Sequence, residues 1–208
     1  MASSSNNSIK QQNYDYFLVL DFEATCDEER KIYPIEIIEF PVLKINARTF
    51  ECESIFHTYV TPTINPQLTK FCIDLTGITQ DMITNQPKFD DVLQNFHLWL
   101  NNEKLLESNT KFIFVTCGDW DLYTMLPSQC NYFKLSHAEY FNRWINIKKS
   151  FKQATGKFAR DGMMGMLKDL NIQHIGRHHS GIDDCKNIAE ILKQLAKRGY
   201  IFEENRKK

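Results

Sequence analysis

The chain has 208 residues and no apolar run approaching the ~18 residues that span a bilayer as a helix. Its first 13 residues, MASSSNNSIKQQN, have no apolar core of the kind a secretory signal carries. With Ala at position 2 and RKK as the last three residues, neither myristoylation nor prenylation is expected. Cys26, Cys52, Cys72, Cys117, Cys130 and Cys185 form no CxxC pair, and no Cys/His spacing describes a zinc site. They are expected to be reduced thiols, mostly buried. Glycine and proline are few, 8 and 6, beside 42% hydrophobic and 25% charged residues, which excludes collagen-like, low-complexity and disulfide-scaffold chains. Charge of one sign is also missing: the net charge of −1 gives no overall attraction to nucleic acid. A chain of this length buries a core unaided as one domain. The expected organisation is a disordered polar tail over 1–13, a single domain over 14–200 and a charged tail over 201–208. It is read as an intracellular monomer, cytoplasmic or nuclear, with no membrane partner.

The small net charge conceals a split. Asp21 to Glu53 holds nine acids and four bases, whereas Phe141 to Arg160 holds six bases (Arg143, Lys148, Lys149, Lys152, Lys157, Arg160) and no acid. A metal site beside a phosphate track requires such a pattern. A solvated basic helix explains the second segment equally well.

Tyr16–Leu20 is continuously apolar and ends at Asp21, which predicts a central strand buried on both faces. Ile35–Ile45 reads as a second strand, with Pro41 placing it at an edge or a bulge. Ser54–Val60 is a third, in a meander. A short helix over 68–75 ends near Gly77, and a turn covers 81–84. Phe89, Val92, Leu93, Phe96, Trp99 and Leu100 recur at spacings of three and four, which predicts an amphipathic helix. Lys111–Thr116 is a fourth strand, and a helix opening at Asp121 is expected to stop at Pro127. Trp144–Ile147 is a fifth strand, followed by helices over 163–170 and 182–197, the last closed by Gly199. The order describes an α/β domain: a mixed five-stranded sheet, antiparallel at one side and parallel at the other, flanked by helices.

Three acid clusters fall on this frame. Asp21 and Glu23 flank Phe22 at the carboxyl end of the first strand, and the strand period of two puts both carboxylates on one face. Like charges side by side there call for a neutralising cation, unless the strand simply ends and both acids are solvated. Gly118-Asp119-Trp120-Asp121 follows the fourth strand, at the end where α/β domains place their sites. Either acid can cap the helix; Asp119 is better placed to cap, and Asp121 to point inward. Arg177-His178-His179-Ser180-Gly181-Ile182-Asp183-Asp184 offers two pairs of equal separation, His178 with Asp183 and His179 with Asp184. Asp184 continues the stripe of Ile188, Ile191 and Leu195 and faces inward, whereas Asp183 shares a face with Asn187, Glu190 and Gln194 and faces water. A buried acid needs a partner. Asp21, Glu23, Asp121 and Asp184 can therefore converge with His179. Oxygen-only ligands select hard ions such as Mg²⁺ or Mn²⁺ over zinc.

Asp21-Phe22-Glu23-Ala24-Thr25-Cys26, Gly118-Asp119-Trp120-Asp121 and His179-Ser180-Gly181-Ile182-Asp183-Asp184 resemble the three motifs of the DEDDh 3′–5′ exonucleases. Within that superfamily the chain is most similar to the enhanced-RNA-interference exonuclease family, which includes the histone-mRNA 3′-end exonuclease and the Snipper-type nucleases. Ile37–Pro41, Phe71–Thr79, Trp144–Ile147 and Lys186–Ala189 match as well, so the resemblance runs from Tyr16 to Gly199. It implies an RNase H-like exonuclease fold and release of 5′-mononucleotides from 3′ ends. It also implies Asp121 rather than Asp119, and His179 rather than His178, in the site. His in the third motif separates this branch from nucleases with Tyr there. The N-terminal SAP-type domain of the histone-mRNA enzyme and a C-terminal zinc finger are not expected within this length.

On that basis two Mg²⁺ ions are expected, with Mn²⁺ substituting. Asp21 bridges both, Glu23 and Asp184 complete one site, and Asp121 holds the second through water. Ions ~3.5–4 Å apart stabilise both the attacking and the leaving oxygen. His179 is expected as general base, and Glu23 and His179 to lie against the terminal nucleotide. Trp120 and Phe71 are expected to stack on terminal bases, with core packing as the alternative. Ala24 is expected to offer its backbone N–H, and Lys148, Lys149 and Lys152 to follow phosphates. His57, His97, His137 and His174 receive no role. The expected substrate is single-stranded or 3′-overhang RNA. A DNA-preferring exonuclease of the same superfamily and a catalytically silent RNA-binding subunit are the alternatives, because contacts to the 2′-OH are not legible in the acids.

Overall fold

The computed structural model describes residues 9–204. β1 (Tyr16–Leu20) has neighbours on both sides, pairing antiparallel with β3 (Ile37–Asn46) and parallel with β5 (Phe112–Thr116). Its side chains alternate between two cores: Phe17 and Val19 enter one, Leu18 and Leu20 the other. Pairing breaks at Asp21 and Phe22 and resumes in β2 (Glu23–Ala24), which lies against the first part of β3. β4 (Cys52–Tyr59) borders β3 on its other side, and β6 (Trp144–Asn146) pairs parallel with β5. The mixed sheet thus has six strands among the described residues, one more than expected, the addition being the two-residue β2.

β3 is an interior strand, so of the edge or bulge expected at Pro41 the edge is not found, while the pairing beside it is interrupted. Pro41 falls between Val42, paired with Leu20, and Glu39, paired with Glu23. It therefore stands opposite the break between β1 and β2, where a missing N–H is tolerated.

Helices cover both faces. α1 (Lys70–Thr76) is capped by the Thr69 side chain, and α2 (Gln80–Ile83) follows. α3 (Phe89–Asn102) buries Phe89, Val92, Phe96 and Leu100 against Leu18, Phe40 and Phe114. α5 (Ile147–Thr155), α6 (Gly162–Leu170) and α7 (Gly181–Lys197) cover the opposite face, where Ile188, Ile191, Leu192 and Leu195 meet Phe17, Val19 and Val115. Burying each such side chain is worth roughly 1.5–3 kcal/mol. α4 (Leu126–Phe133) is entered directly from a π-helix, Trp120–Met125. Pro127 does not stop that helix. It sits in the first turn of α4, where the missing N–H has no obligatory partner.

The two ends of the described chain pack together. Gln12 is buried and hydrogen-bonds Tyr200 O and Phe202 N–H, and Phe202 is fully buried against Phe17. The remainder of the expected tails, 1–8 and 205–208, lies outside the described residues.

Candidate active site

The break between β1 and β2 turns Phe22 into the core, where its ring meets Phe40 edge-on at 4.7 Å. Asp21 and Glu23 are thereby left on one side. The Phe22 N–H, freed from the ladder, donates to Asp121 Oδ1 at 3.0 Å and fixes the acid carried by the π-helix. Asp184 comes from the first turn of α7. A Cβ at Gly181 would lie 2.7 Å from Asp21 O, so glycine is what lets this helix seat against the end of β1. Carboxylate oxygens of Asp21, Glu23 and Asp184 lie within 4.8 Å of one another. Asp121 stands outside that trio but is the strongest charged neighbour of Asp21.

These acids repel one another in a dry setting. Burial, then the charges of Asp121 and Glu23, push the Asp21 carboxyl well above the usual range. Burial, then Glu39 and Asp184, push Glu23 to about 9. Burial raises Asp121 to about 6 despite the Phe22 N–H. It raises Asp184 to about 6 despite the His179 N–H, which donates to Asp184 Oδ2 at 2.9 Å. Asp184 Oδ1 is buried and has no hydrogen-bond partner among the described residues. An orphaned carboxylate oxygen in the cluster of Asp21, Glu23 and Asp184, which includes no cysteine, fits a hard divalent cation; His178 and His179 form a second cluster with Asp184.

His179 is half-buried in the loop before α7, with φ at +64°, a backbone region uncommon for histidine. Burial first, then His178 and Arg177, hold its pKa below the usual imidazole value, so the ring is neutral near pH 7 and able to accept a proton. The more exposed His178 ring packs on it at 3.9 Å. The loop is clamped from α7. Asn187, expected to face water, is fully buried and hydrogen-bonds the Ile175 N–H and C=O, each at 2.9 Å. Asp183, expected to be merely solvated, accepts the Arg177 N–H at 3.0 Å and pairs with Lys186 at 2.8 Å.

The residues expected to meet substrate are less uniform. Asp119 makes no side-chain cap; its carboxylate accepts from Trp144 Nε1 at 3.0 Å and pairs with Lys149 at 2.8 Å. Lys149 is therefore committed, and Lys152 lies over the Phe158 ring at 4.2 Å. Lys148 is the lysine of the three that bears on the acids, as a favourable charge near Asp121. Trp120 is 44% exposed beside Asp121. Phe71 on α1 is half-buried, and Ala24 on β2 accepts a long hydrogen bond from Cys72 Sγ at 3.7 Å.

Two buried carboxylates, Glu36 and Glu39, received no role from the sequence, and Glu39 is the one that touches α7. Glu39 lies opposite Glu23 in the sheet, accepts from the Gly181 N–H at 2.9 Å and the Ile182 N–H at 3.2 Å, and bonds His57 Nε2 at 2.7 Å. His57 thereby has a partner after all. The available signal was an acid inside the apolar run 37–45; its partners on α7 and β4 are distant in sequence. Glu39→Ala leaves two helix-start donors unpaired. It is expected to cost about 1–3 kcal/mol, roughly 3–10 °C of Tm in a domain of this size, and to lower turnover more than it raises KM. Glu39→Gln should recover most of both. Wild-type stability and turnover in Glu39→Ala would detach Glu39 from the site.

Acids from β1, β2, the π-helix and α7, gathered beside a loop histidine at the carboxyl end of a mixed sheet, define a nuclease domain of exonuclease type. The chain belongs to the exonuclease family, whose RNase_T profile matches residues 18–192. It is 57% identical over 200 residues to ERI1 exoribonuclease 3 of Homo sapiens, covering 96% of this chain and 59% of that protein. It is 40% identical over 202 residues to the human 3'-5' exoribonuclease 1, covering 93% and 56%. Among solved structures it resembles the nuclease domain of 3'hExo, a DEDDh family member bound to rAMP. The TM-score is 0.90 at 38% identity, over 96% of this chain and 100% of that one. A 3'-exonuclease structure describing recognition of the histone mRNA stem-loop gives a TM-score of 0.89 at 37% identity, over 94% and 68%. The chain thus spans about three-fifths of the length of the curated relatives it matches. The DEDDh domain implies dependence on divalent metal. No helix among the described residues is long and apolar enough to cross a membrane.

Proposed function

We propose that this chain is a 3′–5′ exoribonuclease that releases 5′-mononucleotides from single-stranded or 3′-overhang RNA, using two Mg²⁺ ions for which Mn²⁺ substitutes. The observation that carries the reading is the meeting of Asp21, Glu23 and Asp184 oxygens within 4.8 Å, with Asp121 beside them. Asp21 would be shared by both cations, Glu23 and Asp184 completing one site and Asp121 serving the other through water. When bound, the cations supply polarisation of the scissile phosphate and of the attacking water. His179, next to Asp184 and held below the usual imidazole value, would accept the proton of the attacking water. Glu23 and the Ala24 backbone lie against the terminal nucleotide, and Trp120 and Phe71 hold its base by stacking. The intact set of acids and histidine speaks against a silent binding subunit. The names of the relatives favour RNA over DNA. The same reading takes the domain as an intracellular monomer, in keeping with six free cysteines.

The test is digestion of 5′-labelled RNA and DNA, single-stranded or with 3′ overhangs, in Mg²⁺ or EDTA. A one-nucleotide ladder in the RNA lanes, absent in EDTA, is expected. A ladder from DNA alone, or none with Mg²⁺, overturns the reading. The basic face of α5 is tested separately. Replacing Lys148, Lys149 and Lys152 by Ala should weaken long RNA most and reduce the salt slope by about 0.7 for each phosphate no longer neutralised. Lys148→Ala should carry the largest share, because Lys149 and Lys152 are already engaged within the protein. An unchanged salt slope in the triple variant would remove α5 from the RNA path.

A further inference from the structure

A groove of about 500 Å³ runs from the π-helix and α4 to the loop that precedes β3. Its volume falls in the ~300–1,000 Å³ range of sites that hold small organic ligands. Its lining includes Trp120, the chain neighbour of Asp121. Its walls carry two further rings that the fold leaves in water: Tyr33, 73% exposed, and Tyr132, 40% exposed. The two meet edge-on with centroids 5.7 Å apart, and both line the groove. Ser128 and Asn131 add hydrogen-bonding groups, and Lys31 is the charged residue of the lining, which contains no acid.

Aromatic faces in a row, small polar groups between them and a positive charge without a competing acid are what single-stranded nucleic acid requires. Bases stack on rings irrespective of sequence, and phosphates need a cation. Nothing in the chemistry at the acids needs these residues, because cleavage concerns the last phosphodiester alone. We propose that this groove binds the nucleotides preceding the 3′-terminal one, with Tyr33 and Tyr132 as stacking platforms and Lys31 as a phosphate contact. The assignment rests on the exonuclease reading above, and it explains why aromatic residues on separate segments, 33 and 132, are held together in solvent beside the site.

The experiment measures kcat and KM on 5′-labelled oligoribonucleotides of increasing length, from the dinucleotide upward, in Mg²⁺. It compares the wild type with Tyr33→Ala/Tyr132→Ala and Tyr33→Phe/Tyr132→Phe, with Tm as the folding control. In the wild type KM should fall as the substrate lengthens past the dinucleotide. The double alanine variant should lose that fall, with KM on long RNA raised by roughly tenfold or more per ring removed, while it cuts the dinucleotide at the wild-type rate. The double phenylalanine variant, which keeps the ring faces, should behave as wild type. Undiminished length dependence in a folded double alanine variant overturns the proposal and leaves the aromatic groove to a protein partner. Failure of the wild type to cut any RNA overturns the exonuclease reading itself, and the groove's assignment with it.

Discussion

Asp21→Asn is expected to reduce 3′-end trimming by about 10³-fold or more and, at the same time, to raise the Tm of the cation-free protein at pH 8. The two effects have one cause. Burial raises the Asp21 pKa most, and Asp121, Glu23, Asp184 and Glu39 all raise it further. A carboxyl whose pKa is raised by folding favours the folded state in full below its unfolded value. That contribution is lost as pH rises through the folded value. For Asp121 and Asp184 the window runs from the ordinary carboxylate range up to about 6, and for Glu23 up to about 9. The cation-free domain should therefore lose stability between pH 4 and pH 8, and Asn at position 21 should relieve part of that loss. A divalent cation should do the same from outside. At 100 times its Kd it adds about 2.7 kcal/mol, on the order of 5–10 °C here, and the gain should be larger at pH 8 than at pH 5. Thermal melts in EDTA and in Mn²⁺ at both pH values, with Mn²⁺ titration calorimetry, measure this directly. Near-normal trimming by a folded Asp21→Asn variant with undiminished Mn²⁺ affinity would remove Asp21 from the site.

His179→Ala should lower kcat by about 10²- to 10⁴-fold, the usual contribution of a positioned general base, with KM little changed. Because the ring is held below the usual imidazole value of about 6.5, wild-type activity at saturating cation should persist into mildly acid solution. It should fall only as pH drops through the lowered value, and that limb should be shallower in His179→Ala. His178→Ala supplies the contrast. His178 is one of the groups that depress His179, so its removal should move the acid limb to higher pH while leaving the plateau rate within a few-fold of wild type. A larger loss of plateau rate in His178→Ala than in His179→Ala would exchange the roles of the two histidines.

Much of this was legible along the chain because it is written in local periodicity. The strand at Tyr16–Leu20 and the helix at Phe89–Asn102 follow from the spacing of apolar residues. The inward turn of Asp184 follows from its stripe on α7, where Ile188, Ile191 and Leu195 are fully buried. Pro127 and Pro41 misled for one reason. Proline removes a donor, and whether the donor is missed depends on the surroundings: a helix start for Pro127, a break in the neighbouring strand for Pro41. Asn187 misled because helical periodicity assigns a polar side chain to water, whereas here the loop carrying both histidines folds back over it.

Residue identity, order and spacing by themselves determined an α/β chain with strand-end acids and a third acid cluster opening the last helix. Only the tertiary structure decided how those acids meet, because the distances that matter cross the sheet and join positions from 21 to 184. The break after Leu20 turns the Phe22 N–H toward Asp121, Gly181 admits α7 to the end of β1, and Glu39 receives the start of that helix. Each is a contact between residues remote in the chain, and burial and repulsion at such contacts set the charge state of the site.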